Sequence, residues 1–159
     1  MRNSTLLLGG IAACLLAAGP ASAGPAEDAT AAITTVLDKF NGGDIGAFFA
    51  AHRDGALIVD EFAPFVWGGS GSVQKWGEDY GKDAAARGIS NGRIDYGKPL
   101  NAASDGANAY IVLPTTYRFT QKGAKMAGAG SMTFVMSRAA GEWKISSWTY
   151  SGATPTPEN

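Results

Sequence analysis

The hydrophobic pattern of this sequence changes once, near Ile89, and that change constrains the fold more than any other feature. Before it, apolar residues recur at helical spacing. After it, they lie in long runs separated by glycine-containing turns. The chain has 22 glycines in 159 residues, which favours β structure with many bends over a helical bundle. Helices followed by consecutive hairpins predict an α+β domain with three helices covering one face of an antiparallel sheet.

The element boundaries follow from caps and turns. The predicted helices are Pro25 to Phe40, Asp44 to His52, and Ser72 to a stop at Gly88. The predicted strands are Ala56 to Phe62, a short piece at Phe65 to Trp67, Arg93 to Ala103, Ala109 to Gln121, Met126 to Arg138 and Glu142 to Ser151. Long strands interrupted by glycine are expected to curl around the helices, which leaves a cone with an open mouth.

Residues 1–23 have the pattern of a secretory signal peptide. Arg2 precedes an apolar stretch from Leu6 to Ala18, and Ala21-Ser22-Ala23 forms an A-x-A cleavage site. The apolar stretch is shorter than the roughly 20 residues that a spanning helix needs. The sequence therefore predicts a periplasmic or secreted protein. An alternative is a lipoprotein modified at Cys14, although the residues after Cys14 stay apolar.

The remaining chain is expected to form one domain, residues 24–151, followed by a flexible tail, residues 152–159. Thirteen basic and 14 acidic residues give a net charge of -1, so the composition offers no case for nucleic-acid binding. Cys14 is the only cysteine and His52 the only histidine. This excludes a zinc or facial-triad iron site and predicts chemistry without metal or cofactor.

Four short segments, in order, resemble the nuclear transport factor 2-like superfamily, which includes ketosteroid isomerases and SnoaL-like domains. The segments are Asn41-Gly42-Gly43-Asp44, Arg53-Asp54-Gly55-Ala56, Gly69 to Val73 with Trp76, and Gly141 to Ile145 with Trp148. The resemblance implies a conical pocket and a homodimer formed through the sheet. It implies no single activity, because this fold carries both enzymes and non-catalytic binders.

The resemblance places Asp60 where ketosteroid isomerases have their general base. By alternation Asp60 shares a face with Ala56 and Ile58, whereas Glu61 is expected to point the other way. The family mechanism also needs a tyrosine and a protonated aspartic acid as oxyanion donors. The corresponding positions here are about Val36 and the segment 133–135, which supply neither, so steroid enolisation is not expected.

His52 is the second candidate catalytic residue. It could act as a base near the pocket mouth, or its cationic imidazole could cap a helix end. Five aromatic residues are candidates for the pocket wall, and each could equally be part of the core. They are Trp67, Trp76, Tyr80, Tyr117 and Trp148.

Three functions remain open on the sequence, which favours the first. The chain binds a small apolar or aromatic ligand without turnover, or it is a cofactor-free acid/base enzyme using Asp60 or His52, or it is a dimeric interaction module with a vestigial pocket. Isomerases, dehydratases and epoxide hydrolases are the enzyme types considered. Asp60 pointing into an enclosed pocket beside Tyr80, Tyr117 or His52 would favour the enzyme.

Overall fold

The computed structural model describes residues 24–158. The predicted signal peptide and the alternative lipid site at Cys14 lie outside the described residues. Within them, the helices are too short or too polar to cross a membrane.

Three helices form one layer of the domain. Helix α1, Pro25–Asn41, begins with a proline and two acidic residues in its first turn, and its apolar stripe is buried against the sheet. Helix α2, Ile45–Ala50, is capped by Asp44, whose carboxylate accepts a hydrogen bond from the Ala47 amide. Helix α3, Ser72–Arg87, ends at Gly88, which adopts a left-handed conformation with φ of 68°.

Eight strands form one sheet around these helices. They are β1 His52–Val59, β2 Val66–Gly69, β3 Ile89–Tyr96, β4 Asn101–Ser104, β5 Asn108–Gln121, β6 Ala124–Ala139, β7 Glu142–Gly152 and β8 Thr156–Pro157. The main order is β2-β1-β7-β6-β5-β3, with β4 on β5 and β8 on β6. Register shifts in four of the strand pairs bend the sheet. The predicted α+β cone is confirmed.

Three details differ from the predicted elements. The first and last long strands, β1 and β7, pair in parallel, whereas the other pairs are antiparallel. The strand expected from Arg93 to Ala103 is divided into β3 and β4, and β1 begins earlier than expected, at His52. The segment expected to be a flexible tail follows β6, where Thr156 and Pro157 pair with Ala127 and Met126.

The core lies between the helices and the concave face of the sheet. Ile33 and Leu37 of α1 and Phe48 of α2 are almost completely buried there. The sheet contributes alternate inward-facing residues such as Ile111 and Phe134. Packing of these side chains fills the closed end of the cone and leaves a cavity at the other.

Candidate functional site

An aromatic cavity of about 120 Å³ opens between α3, the segment after β1 and the long strands. Rings from α2, from the loop after β1, from α3 and from the strands surround it, among them Phe48, Phe62, Trp76, Tyr80, Tyr117 and Trp148. An engineered cavity of about 150 Å³ is known to bind benzene, so this one has room for about one ring.

Asp60 supplies a carboxyl group to this cavity. It directly follows β1 and continues the inward face of Ala56 and Ile58. Its Oδ2 accepts a hydrogen bond from Trp76 Nε1 at 3.0 Å, and its Oδ1 accepts one from the Glu61 amide at 2.8 Å. Burial raises the pKa of Asp60 above its ordinary value, although both hydrogen bonds oppose the shift. The carboxyl is thus oriented, largely desolvated and more basic than a surface aspartate.

Two tyrosine hydroxyls lie against the same cavity. Tyr80 of α3 and Tyr117 of β5 have their oxygens 2.7 Å apart, so one hydroxyl donates to the other. The hydroxyl that accepts this bond keeps its own proton to donate elsewhere, and acceptance strengthens it as a donor. Burial raises the pKa of both tyrosines, which keeps them neutral and able to donate at physiological pH.

An irregularity in β3 leaves space for this hydroxyl pair. The β3–β5 register shifts between Ser90 and Arg93, and Asn91 has a φ of 53°. A Cβ at Gly92 would lie 2.8 Å from the Tyr117 hydroxyl oxygen and 3.0 Å from that of Tyr80. Only glycine at position 92 therefore permits the observed tyrosine arrangement without displacement.

His52 lies outside the lining of the cavity and is fully engaged in hydrogen bonds. Its Nε2 is 3.0 Å from Trp148 Nε1, and its Nδ1 is 2.8 Å from the Phe48 carbonyl oxygen. An indole N–H can only donate, so Nε2 accepts and the Nδ1 proton goes to Phe48. Burial lowers the pKa of His52 to about 4. The imidazole does hold the end of α2, but it is neutral near pH 7, not cationic as expected.

Trp67 also does not line the cavity. Its ring packs on Phe62 with centroids 4.9 Å apart, and its Nε1 donates to Asp79 Oδ2 at 3.0 Å. Trp67 therefore supports a wall residue from behind. The other four aromatic candidates, Trp76, Tyr80, Tyr117 and Trp148, do line the cavity together with Asp60.

Glu61 borders the cavity as well, contrary to the alternation argument. Strand β1 ends at Val59, so the period of two no longer holds at position 61. The Glu61 Oε1 accepts a hydrogen bond from the Gly152 amide at 2.6 Å. Sequence analysis missed this contact, and it also missed Tyr150 and Pro155, which complete the wall from the C-terminal end. These residues are far from Asp60 in sequence, and no local pattern marks them.

The arrangement suits proton transfer in an apolar setting. A carboxyl of raised basicity and a neutral hydroxyl donor can act on different atoms of one bound molecule. A metal site is not evident, since no group of three or more histidine, cysteine or acidic side chains is close enough within residues 24–158.

The family model described as "SnoaL-like domain" matches residues 29–155. The chain belongs to this SnoaL-like domain family. The match covers both carboxylates and all the rings of the cavity described above. No curated protein matches the sequence significantly.

Solved structures share the fold of this SnoaL-like domain. A ketosteroid isomerase-like protein from Erwinia carotovora atroseptica aligns with a TM-score of 0.65 and 17% identity, covering 82% of this chain and 97% of its own. A putative scytalone dehydratase from Novosphingobium aromaticivorans gives 0.66 and 7%, with coverages of 84% and 87%. The CaMKII hub of S. rosetta gives 0.63 and 18%, with coverages of 83% and 99%. At these identities the likeness establishes the fold and not the activity.

Proposed function

We propose that this SnoaL-like domain is a cofactor-free acid/base enzyme that acts on a small ring compound, with Asp60 as its general base. The observation that carries the proposal is the shared cavity of Asp60 and the Tyr80–Tyr117 pair. Sequence analysis found no donor at the family's two usual positions. The structure offers a tyrosine pair from α3 and β5 instead, which removes the main objection to catalysis.

The environment of Asp60 supports its role as a base. General bases work best when their pKa approaches the working pH, and burial shifts the pKa of Asp60 in that direction. The Trp76 indole fixes the carboxyl through Oδ2 and leaves further lone pairs on both oxygens for a substrate proton. A carboxyl held in this way pays little for reorganisation when it accepts the proton.

The tyrosine pair supports the complementary role. When Asp60 removes a proton from a carbon next to a carbonyl group, the electron pair moves onto the carbonyl oxygen. A neutral hydroxyl donating to that oxygen stabilises the charge where it develops. The proton then returns to another carbon in an isomerisation, or a β-hydroxyl leaves as water in a dehydration. The names of two structural neighbours, an isomerase-like protein and a dehydratase, belong to these two reaction types.

The size of the cavity limits the substrate. About 120 Å³ suits a single ring with small substituents and is too small for a four-ring steroid. The substrate is therefore expected to be monocyclic, with its carbonyl or hydroxyl group directed at the tyrosine pair.

Isomerisation of 3-cyclohexenone to 2-cyclohexenone, followed by ultraviolet absorbance, tests this proposal with a substrate of suitable size. We expect Asp60→Asn to lower kcat/KM by about 10²-fold to 10⁴-fold and Tyr117→Phe by at least about tenfold. Asp28→Asn is the matched control, because it neutralises an exposed carboxylate on α1 outside the cavity. Equal rates in Asp60→Asn and the unaltered protein would refute the role of Asp60. Ligand binding with no turnover would support the binding function that the sequence favours.

A further inference from the structure

The charges around the cavity are unbalanced. Three carboxylates line it, from Asp60, Glu61 and Asp83, against a single guanidinium, that of Arg87, among residues 24–158. Arg87 Nη1 lies 3.1 Å from Asp83 Oδ2, so these two charges already neutralise each other. Asp60 and Glu61 form no ion pair with another residue in the described part of the chain. A net negative charge therefore remains at the cavity.

The rings add a second, independent preference. Trp76 stacks on Tyr80 with centroids 5.4 Å apart and an interplanar angle of 19°, and it meets Trp148 edge-to-face at 5.2 Å and 88°. Two indoles at right angles form a corner of the cavity wall. The faces of tryptophan and tyrosine rings carry negative electrostatic potential and attract organic cations, and such aromatic cages bind ammonium groups.

We propose that the natural ligand of this cavity is a single-ring compound that carries a positive charge, such as an ammonium group, and that anionic ring compounds are excluded. The inference rests on the proposed function in one respect, because it uses the same cavity and the same carboxylate. It adds the chemical class of the substrate, which the acid/base geometry alone leaves open.

A cationic ligand also explains how a buried carboxylate remains available as a base. Asp60 receives hydrogen bonds from Trp76 and from the Glu61 amide but no compensating charge within residues 24–158. A charged group buried without a counter-charge tends to become neutral. The ammonium group of the ligand would supply that counter-charge and would favour the ionised form of Asp60 at the moment of binding.

Three probes of similar size and opposite charge test the inference by isothermal titration calorimetry near pH 7. Benzylammonium is the cation, benzyl alcohol is the neutral analogue and benzoate is the anion. We expect benzylammonium to bind at least about tenfold more tightly than benzyl alcohol, and benzoate to bind at least about tenfold more weakly than benzyl alcohol. Asp60→Asn should reduce the cation preference to about threefold or less while changing the affinity for benzyl alcohol by about threefold at most. Asp28→Asn should retain the full preference.

The outcomes separate this inference from the proposed function. Equal affinity for benzylammonium and benzyl alcohol, or benzoate binding as tightly as either, would overturn the inference while leaving turnover of 3-cyclohexenone unaffected. A cation preference that survives in Asp60→Asn would also overturn it. Cation binding that depends on Asp60 in a protein that turns over no ketone would support the inference and contradict the proposed function. Failure of all three probes to bind would overturn both.

Discussion

Two buried titratable residues illustrate how position determines role in this domain. Burial favours the neutral form of both, so it raises the pKa of Asp60 and lowers the pKa of His52. Asp60 faces the cavity with lone pairs available to a ligand. His52 has both ring nitrogens occupied by the protein and lies outside the cavity lining. The same physical effect therefore produces a candidate base at one residue and a structural residue at the other.

The structural role of His52 predicts a loss of stability in acid. Between pH 6.5 and about pH 4 the unfolded chain binds a proton at His52 that the folded protein does not. The free energy of unfolding should therefore fall as the pH falls through this interval, by about 3 kcal/mol in total. Urea denaturation across this interval, compared between the unaltered protein and His52→Gln, measures it. The raised pKa of Asp60 acts in the opposite direction but equally in both proteins. Identical pH dependence in the two proteins would contradict the prediction.

The sequence located much of the site because local periodicity assigns side chains to a face. Helical spacing brings Trp76 and Tyr80 to the same side of α3, and alternation directs Asp60 inward. The pairing of Tyr80 with Tyr117 depends on the packing of α3 against the sheet, which no local pattern encodes. Trp67 was placed in the wall by proximity in sequence, but its indole is drawn behind Phe62 by the hydrogen bond to Asp79.

At the scale of elements, the order of helices and strands was predictable, and the strand pairing was only partly so. Consecutive hairpins follow from glycine-containing turns, and the turns at Gly106, Gly123 and Gly141 all have positive φ. The parallel contact between β1 and β7 joins distant parts of the chain, so the sequence gave no local signal for it. The division between β3 and β4 likewise depends on how both strands pair with β5.

The irregular part of β3 predicts a specific effect of substituting Gly92. In Gly92→Ala the new methyl group meets the hydroxyls of Tyr80 and Tyr117, so we expect a loss of about 1–3 kcal/mol in stability and at least a tenfold fall in kcat/KM. Gly81→Ala is the matched control, since Gly81 lies on α3 with nothing within 4 Å of its added Cβ. That variant should be slightly more stable, by about 0.5–1 kcal/mol. Denaturation and turnover of 3-cyclohexenone measure both, and an unaltered rate in Gly92→Ala would contradict the positioning role of Gly92.

The C-terminal segment, residues 153–158, predicts a further effect because it forms part of the cavity wall. Pro155 lines the cavity, and the Ala153 amide donates to the Ala129 carbonyl at 2.8 Å. Deletion of residues 153–159 should weaken benzylammonium binding by at least about tenfold, since the ring loses a wall on one side. Glu158→Gln keeps the segment but loses the ion pair with Arg118, and should bind within about twofold of the unaltered protein. Unaltered affinity in the deletion variant would exclude this role.

At the scale of the whole molecule, the outer face of the sheet offers a surface for the predicted homodimer. One cross-strand row joins Leu57, Ser147, Val135 and Tyr110. The three apolar members of this row are 47%, 37% and 44% exposed, respectively, which leaves a contiguous apolar patch on one face. The cavity opens on the opposite, concave side, so a dimer formed through this row would leave the cavity accessible.

Sedimentation velocity tests the dimer through a charge placed in the middle of this row. Val135→Lys should raise the dissociation constant of the dimer at least about tenfold, because a lysine there would be buried without a partner. Ala86→Lys adds the same charge to an exposed position of α3 and should leave the dimer unaffected. A monomer in the unaltered protein, or a dimer insensitive to Val135→Lys, would contradict a dimer formed through this face.

The account as a whole depends on one carboxyl group being enclosed in an aromatic cavity. Carbon-13 NMR of protein labelled at the aspartate side chains, with Asp60→Asn to assign the signal, measures the titration of Asp60 directly. The account predicts a midpoint clearly above the ordinary aspartate value of about 3.9. A midpoint at or below that value would mean that Asp60 is solvated or charge-compensated, and would contradict both its role as a base and its proposed attraction for a cationic ligand.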